Sequence, residues 1–280
     1  MIDLNKIKSE VTALPPFRET ILRANKMLSD PEVSARELAA VLRYDVGATA
    51  NILKICNSAY FGVKVPVNNL QQAIVNIGHQ ELKNILIISG TMPYFTGTQS
   101  GYEGEYGELL RHSIATALLA KRLGDYLDRP DEILFLAGLL HDVGKLVLGT
   151  HVREEYPSII QRVEQKSLPF HEVEKEVLGI SHDEVGGMIL EHWNFPEEIT
   201  TAVRHHHTFD VTEQSDTALI VALSDTLSNF MGTATFSDGI YYTGFGGLAA
   251  HFKLRLEDIQ IILSHSVREF MEILDVFSSS

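Results

Sequence analysis

Apolar residues return every three to four positions along most of this chain, the period that gives a helix one buried face. In "ARELAAVLRYD" (35–45), Leu38, Val41 and Leu42 form such a stripe, and Ser34-x-x-Glu37 opens it as a capping box. "ATANILKICNSAYFG" (48–62) continues with Ile52, Leu53, Ile55 and Cys56 and stops at Gly62. "LQQAIVNIG" (70–78) and "QELKNILIIS" (80–89) predict two short helices around the Gly78 break. Before them, "VKVPVNN" (63–69) predicts a turn, because Pro66 disfavours helix at the preceding residue and the Asn pair suits a cap. Further helices are expected near 108–124, 131–148, 153–166, 182–193, 196–207 and 216–231. An amphipathic helix, "EDIQIILSHSVREFMEIL", follows near the end. Strand patterns are few, so the pattern predicts an all-α fold.

A stretch rich in Gly, Ser and Thr, "TGTQSGYEGEYG" (96–107), interrupts the helical period and reads as a linker. It divides an N-terminal helical part (1–95) from a larger helical core (108–235). The Gly- and aromatic-rich "FSDGIYYTGFGG" predicts a loop, so that 236–280 reads as a loop and a C-terminal helix packing on that core.

Composition narrows the class. Hydrophobic residues make up 45% and charged residues 21%, ample for a core. No run of eighteen uncharged apolar residues predicts a membrane span, and "MIDLNKIKSEV" lacks the apolar stretch of a secretory signal. One cysteine, Cys56, allows no internal disulfide and suits a reducing compartment, so a cytoplasmic protein without a membrane is expected. The net charge of −14 repels phosphate polymers, and no basic run offsets it, which argues against a nucleic-acid polymer as partner. A local cationic spot could still take a small phosphorylated ligand.

The chemistry concentrates in the histidines. Nine of the twelve fall between 112 and 207, and neutral imidazole is the commonest protein metal ligand. Glu108 and His112 lie four apart on one predicted helix and share a face. "GLLHDVGKLVLG" (138–149) sets His141, Asp142 and Lys145 among six Leu and Val residues, where an unpaired charge would cost several kcal/mol. Adjacent on a helix, His141 and Asp142 would point about 100° apart and could hold one cation from two directions. A carboxylate there could also bridge two cations, and a plain Asp–His hydrogen bond is the simpler alternative. His182 follows Ser181, which with Glu184 forms a second capping box, and the positive field of a helix start favours its neutral form. His205, His206 and His207 end a predicted helix, and no more than two of them can serve one site. Asp225 in "ALIVALSDTLSNFMG" has Ala218, Val221, Ala222, Ser228 and Asn229 on its face, so it meets a partner that is a metal, an Arg or a Lys. Such nitrogen and oxygen donors suit iron, manganese, zinc, cobalt or nickel; magnesium prefers carboxylates and water.

The ordered series H…HD…H…HH…D on helices resembles the HD superfamily of metal-dependent phosphohydrolases, and more specifically the HDOD family of output domains. The opening segment (14–62), "AIVNIGHQELKNILI", "RHSIATALLAKRLG", "AGLLHDVGKLVL", "SHDEVGGMILEHWNFPEEITTAVRHHH" and "LIVALSDTLSNFMG" are similar to that family in order. The resemblance implies an HD-like helical bundle preceded by a smaller N-terminal helical subdomain, in a bacterial regulatory protein. By similarity to the related HD-GYP phosphodiesterases, Glu108, His112, His141, Asp142, His182, His206, His207 and Asp225 would hold divalent metal, two ions with iron or manganese favoured. Asp142 would bridge them, Lys145 would face a substrate phosphate beside it as a catalytic group, and His205 would flank the site.

Family habit implies a signalling module with a partner protein and a small phosphorylated ligand or nucleotide. Keeping the whole ligand set implies the alternative, an active phosphohydrolase or phosphodiesterase on a nucleotide. A third reading is a metal-stabilised core without ligand chemistry. "HHHTFDVTEQ" lacks the Gly-Tyr-Pro loop of HD-GYP enzymes, which counts against hydrolysis of cyclic dinucleotides. In this reading Lys145 reaches an anion or solvent at the mouth of the site.

Overall fold

The computed structural model describes residues 3–57, 63, 65–96, 102, 107–129, 132–212, 214–233 and 244–278. Among these there is no strand. The helices are α1 (Leu4–Ala13), α2 (Glu19–Met27), α3 (Ala35–Leu42), α4 (Val46–Cys56), α5 (Leu70–Ile77), α6 (His79–Thr96), α7 (Glu108–Tyr126) and α8 (Glu132–Leu140). They continue as α9 (Lys145–Val152), α10 (Tyr156–Lys166), α11 (Phe170–Leu178), α12 (His182–His192) and α13 (Glu197–Arg204). After α14 (Asp216–Ser228) and a 3-10 turn (Asn229–Met231) come α15 (Phe245–His251) and α16 (Leu256–Ser278).

The chain forms two compact units, divided differently from the 1–95, 96–107, 108–235 and 236–280 parts expected. One contains residues 1–15 and 94–270, and the other 16–93 and 271–280. The first helix joins the histidine-bearing unit because Ile7 and Val11 are buried where α1 packs on α9 and α12. The boundaries fall inside α6, at Pro93, and inside α16, after Phe270. Most of the expected linker and residues 236–243 of the expected loop lie outside the described residues. Phe245, Gly246 and Gly247 of that loop are helical, in α15.

In the smaller unit, local caps set the helix ends. The Ser34–Glu37 box opens α3, the Asp45 carboxylate accepts from the Ala48 amide to open α4, and Asn69 opens α5. Asn57 fixes the turn that follows α4: its amide donates to Leu53 O and Val67 O at 2.8 and 2.7 Å, and its carbonyl accepts from the Val67 amide at 2.7 Å. Each arrangement supplies partners for backbone groups left over at a helix terminus.

The larger unit is built around α7, α8 and α14. Every residue from His112 to Ala120 of α7 and from Ala218 to Ser228 of α14 is buried, as expected for helices enclosed on all sides. Leu119, Leu123, Leu134, Leu219, Leu223, Leu227, Ile259 and Ile262 form one apolar cluster. Each such side chain contributes roughly 1.5–3 kcal/mol through burial, so these central helices outweigh the half-buried rim. Residues Ile133–Val152 are long and apolar enough to cross a membrane, but the run is 83% buried within the protein. It is also broken by a turn at 141–144 that carries His141 and Asp142.

That break corrects the single helix expected over 131–148. Gly144, just before α9, has φ −63°, so its backbone does not require glycine. Space does. A Cβ there would collide with the His182 carbonyl and lie 2.6 Å from the Gly186 amide nitrogen. The starts of α9 and α12 therefore meet backbone to backbone. Gly144→Ala should lower stability by about 1–3 kcal/mol, the usual penalty of overpacking. Gly246→Ala, on an exposed helical position with nothing within 4 Å of its would-be Cβ, should be neutral or slightly stabilising. Urea denaturation of the two variants beside the parent checks this; equal midpoints for all three would contradict the close approach.

Candidate metal centre

Five separate elements deliver donors to one place inside the larger unit. His112 comes from the second turn of α7, and His141 and Asp142 come from the break between α8 and α9. His182 is the first residue of α12, His206 and His207 follow the end of α13, and Asp225 lies in α14. His112, His141, His182 and His206 are fully buried, Asp142 and Asp225 are 1% exposed and His207 is 9% exposed.

Asp142 stands in the middle. Its Oδ2 lies 3.4 Å from His141 Nε2 and 3.6 Å from His112 Nε2, while its Oδ1 lies 3.3 Å from His182 Nε2 and 3.9 Å from His206 Nε2. Asp225 Oδ1 approaches His112 Nε2 at 3.0 Å and His141 Nε2 at 3.6 Å. His182 and His207 face each other through their Nε2 atoms at 2.8 Å. Donor atoms within 4.8 Å of one another group as His112–His141–Asp142, His141–His206–Asp225 and His182–His206–His207. Glu108 heads α7 one turn before His112, with Oε2 buried and lacking a hydrogen-bond partner, but it belongs to none of these groups. His205 is the residue that caps α13 and is half-buried outside them.

The outer nitrogens show which way the rings are held. His141 Nδ1 donates to Gly138 O at 2.7 Å, and His206 Nδ1 to Val203 O at 2.6 Å. Carbonyls only accept, so both protons sit on Nδ1. Ser228 Oγ donates to Asp225 O at 2.7 Å and so accepts from His112 Nδ1 at 3.1 Å. His182 Nδ1 donates to Glu174 Oε2 at 2.7 Å. All four rings thus turn Nε2 inward. This carboxylate or carbonyl support is what fixes metal-binding imidazoles.

The inward arrangement needs positive charge. His112 Nε2 and His141 Nε2 are 3.1 Å apart, and as neutral rings they would bring two lone pairs together. Asp142 Oδ1 and His206 Nε2 are buried without hydrogen-bond partners, which is costly in a dry interior. A cation satisfies both conditions. The donor set, imidazole nitrogen and carboxylate oxygen without thiolate, suits a divalent metal.

Electrostatics divide the imidazoles. Burial opposes charge on His182, yet the Glu174 carboxylate beside it raises its pKa to about 9. The sequence expectation of a neutral ring at a helix start is therefore reversed by a neighbour on another helix. Burial, reinforced by the charges of His141 and His182, pushes His206 down to about 4, and burial and His206 hold His207 well below the usual range. Burial also opposes the charge on Asp142, but Lys145 and His141 hold its carboxyl well below the ordinary carboxylate range.

Lys145 is placed differently from the sequence expectation. It is 1% exposed and its ammonium donates to Asp142 Oδ2 at 2.7 Å, so it does not reach solvent. The ring of Tyr102 lies 5.8 Å from the ammonium.

Glu174 and Tyr102 escaped the sequence reading. Glu174 is fully buried, accepts from both the His182 amide and its Nδ1, and accepts from the Tyr102 hydroxyl. A signal was present: Phe170, Val173 and Leu178 mark the buried face of α11, and Glu174 is a carboxylate on that face. His171, whose ring stacks on His207 at 4.5 Å, and the buried Asp183 were also missed.

The HDOD domain family model matches residues 14–209. The chain belongs to the HDOD domain family. A protein of Treponema pallidum named as uncharacterised is 24% identical over 201 residues, 72% of this HDOD chain and 39% of that protein. A ribonuclease Y of Thermus thermophilus is 31% identical over 128 residues, 45% of this chain and 17% of that enzyme. The chain thus spans well under half the length of these two relatives. Among solved structures, a protein of Marinobacter aquaeolei VT8 named as a candidate for signal transduction superposes with a TM-score of 0.75 at 21% identity. That superposition covers 94% of this chain and 59% of that one, and at such identity it is a likeness of fold.

Metal uptake here must displace the proton that Glu174 keeps on His182. A proton competitor weakens binding as pH falls below its pKa, so the affinity for Mn2+ should rise steadily from about pH 6 to about pH 9. Glu174→Gln should weaken Mn2+ binding by about 10–100-fold and flatten that rise. Calorimetric titrations of both proteins across this range check it; equal affinities and parallel pH profiles would contradict the role of Glu174.

Proposed function

We propose that this chain is a regulatory HDOD module in which two divalent cations, iron or manganese, recruit a small phosphorylated ligand, and that the liganded state is passed to a partner protein. The observation that carries this reading is the shared carboxylate: both oxygens of Asp142 face imidazole donors whose outer nitrogens are already fixed. His112, His141, Asp225 and one oxygen of Asp142 would hold one ion. His182, His206, His207 and the other oxygen would hold the second.

Bound there, divalent cations supply Lewis-acid character and positive charge for phosphoryl oxygens. The protein contributes the rest. It excludes water from the inner donors, orients the imidazoles through Gly138, Val203, Ser228 and Glu174, and keeps one ammonium beside the shared carboxylate. Deep burial of the donors and a net charge of −14 favour a small ligand over a nucleic-acid polymer. The solved structure named for signal transduction has the same fold, which supports a regulatory role.

A second reading, hydrolysis of a phosphodiester bond, is favoured by the likeness to proteins named ribonuclease Y. The two readings separate on turnover. Manganese-loaded protein should be thermally stabilised by nucleoside phosphates or cyclic dinucleotides without consuming them. Asp142→Ala should lose both its metal and that stabilisation. Multiple turnovers of a nucleotide or a generic phosphodiester by the parent, absent in Asp142→Ala, would replace the regulatory reading with hydrolysis. Metal content unchanged in Asp142→Ala would overturn the ligand assignment itself.

A further inference from the structure

Lys145 is an unusual residue for its position. It is the first residue of α9, at the end of the helix where the dipole is positive and a cation is disfavoured. Its side chain is 1% exposed, so water does not compensate it. Among the described residues, the ammonium meets Asp142 Oδ2 at 2.7 Å and the ring of Tyr102 at 5.8 Å.

This makes the two halves of the centre unequal. On the Oδ2 side, the shared carboxylate oxygen already has a cationic partner. On the Oδ1 side, Asp142 Oδ1 and His206 Nε2 have no hydrogen-bond partner and lie 3.9 Å apart. His182 Nε2 is 3.3 Å from that same oxygen, and His207 Nε2 is 2.8 Å from His182 Nε2. One half therefore offers four inward donors, two of them unsatisfied and one, His182, giving up its proton as metal enters; the other also leaves Asp225 Oδ1 unsatisfied, but its shared oxygen is occupied by a fixed ammonium.

We infer that Lys145 is a built-in counter-cation that orders metal loading, so that the His182–His206–His207 half fills first and the His112–His141–Asp225 half fills against the ammonium. The inference rests on reading the cluster as a two-ion centre. The ammonium balances Asp142 while the Oδ2 half lacks an ion, and it opposes the second ion because a buried cation is poorly screened. The second site then becomes the responsive one: a bound anion that neutralises Lys145 would ease entry of the second ion, which couples phosphorylated ligand to metal occupancy.

The test uses the 280-residue chain stripped with chelator and titrated with Mn2+ under nitrogen. Isothermal calorimetry reads the binding steps, and electron paramagnetic resonance reads the coupled signal of a manganese pair. Lys145→Gln keeps a hydrogen-bond donor for Asp142 and removes the charge; Lys145→Met removes both and serves if the first variant folds poorly. The parent should bind in two separated steps. In the variants the second step should tighten by about tenfold or more, from loss of one unscreened charge, while the first shifts by less than about threefold. A parent that takes one ion while Lys145→Gln takes two would equally support the inference. Unchanged or weakened second steps in both variants would overturn it and leave the two-ion reading standing. Absence of Mn2+ binding in the parent would overturn the two-ion reading and the inference together.

Discussion

The site depends on one carboxylate held at a break between two helices. Asp142 cannot be charged in a dry interior without compensation, and the whole surrounding geometry supplies it. Lys145 takes one oxygen at 2.7 Å, and imidazoles face both oxygens. The break at 141–144 lets His141 and Asp142 leave the path of α8, and Gly144 lets that turn lie against the backbone of α12, where His182 begins. A side chain at 144 would push His182 away from Asp142. Packing and chemistry are therefore one constraint here.

The second tier is the set of acceptors that turn the rings. Gly138 O and Val203 O are each three residues before the histidine they bind, so the end of a helix both supplies an orphan carbonyl and orients a donor. His182 is treated differently. Its partner, Glu174, is charged and buried and is itself held by Tyr102, giving this ring a far stronger pull toward the protonated form. The centre consequently combines His206 and His207, kept neutral by burial, with His182, which would exchange a proton for a metal.

Much of this was legible in the sequence for physical reasons. The three- to four-residue period gave the all-α class, and the Ser34, Asn69 and Ser181 signals marked real helix starts. The histidines stood out because imidazoles and carboxylates within apolar runs demand partners. What sequence periodicity could not supply was the interruption of an unbroken apolar pattern at 141–144, since burial on both sides erases the amphipathic signal there. Nor could it foresee that α1, distant in sequence, joins the larger unit. Glu174 was legible only as a carboxylate on the apolar face of α11, without the histidine it serves nearby in sequence. Lys145 reads as facing outward when its partner, one turn away, is assigned wholly to metal.

Whether these converging donors hold divalent metal is decided by elemental analysis of protein purified without oxygen. Iron or manganese should survive gel filtration, at one to two ions per chain. Protein that carries less than a tenth of an equivalent of any transition metal, and gains none when incubated with iron(II) or manganese(II), would contradict a metal centre here.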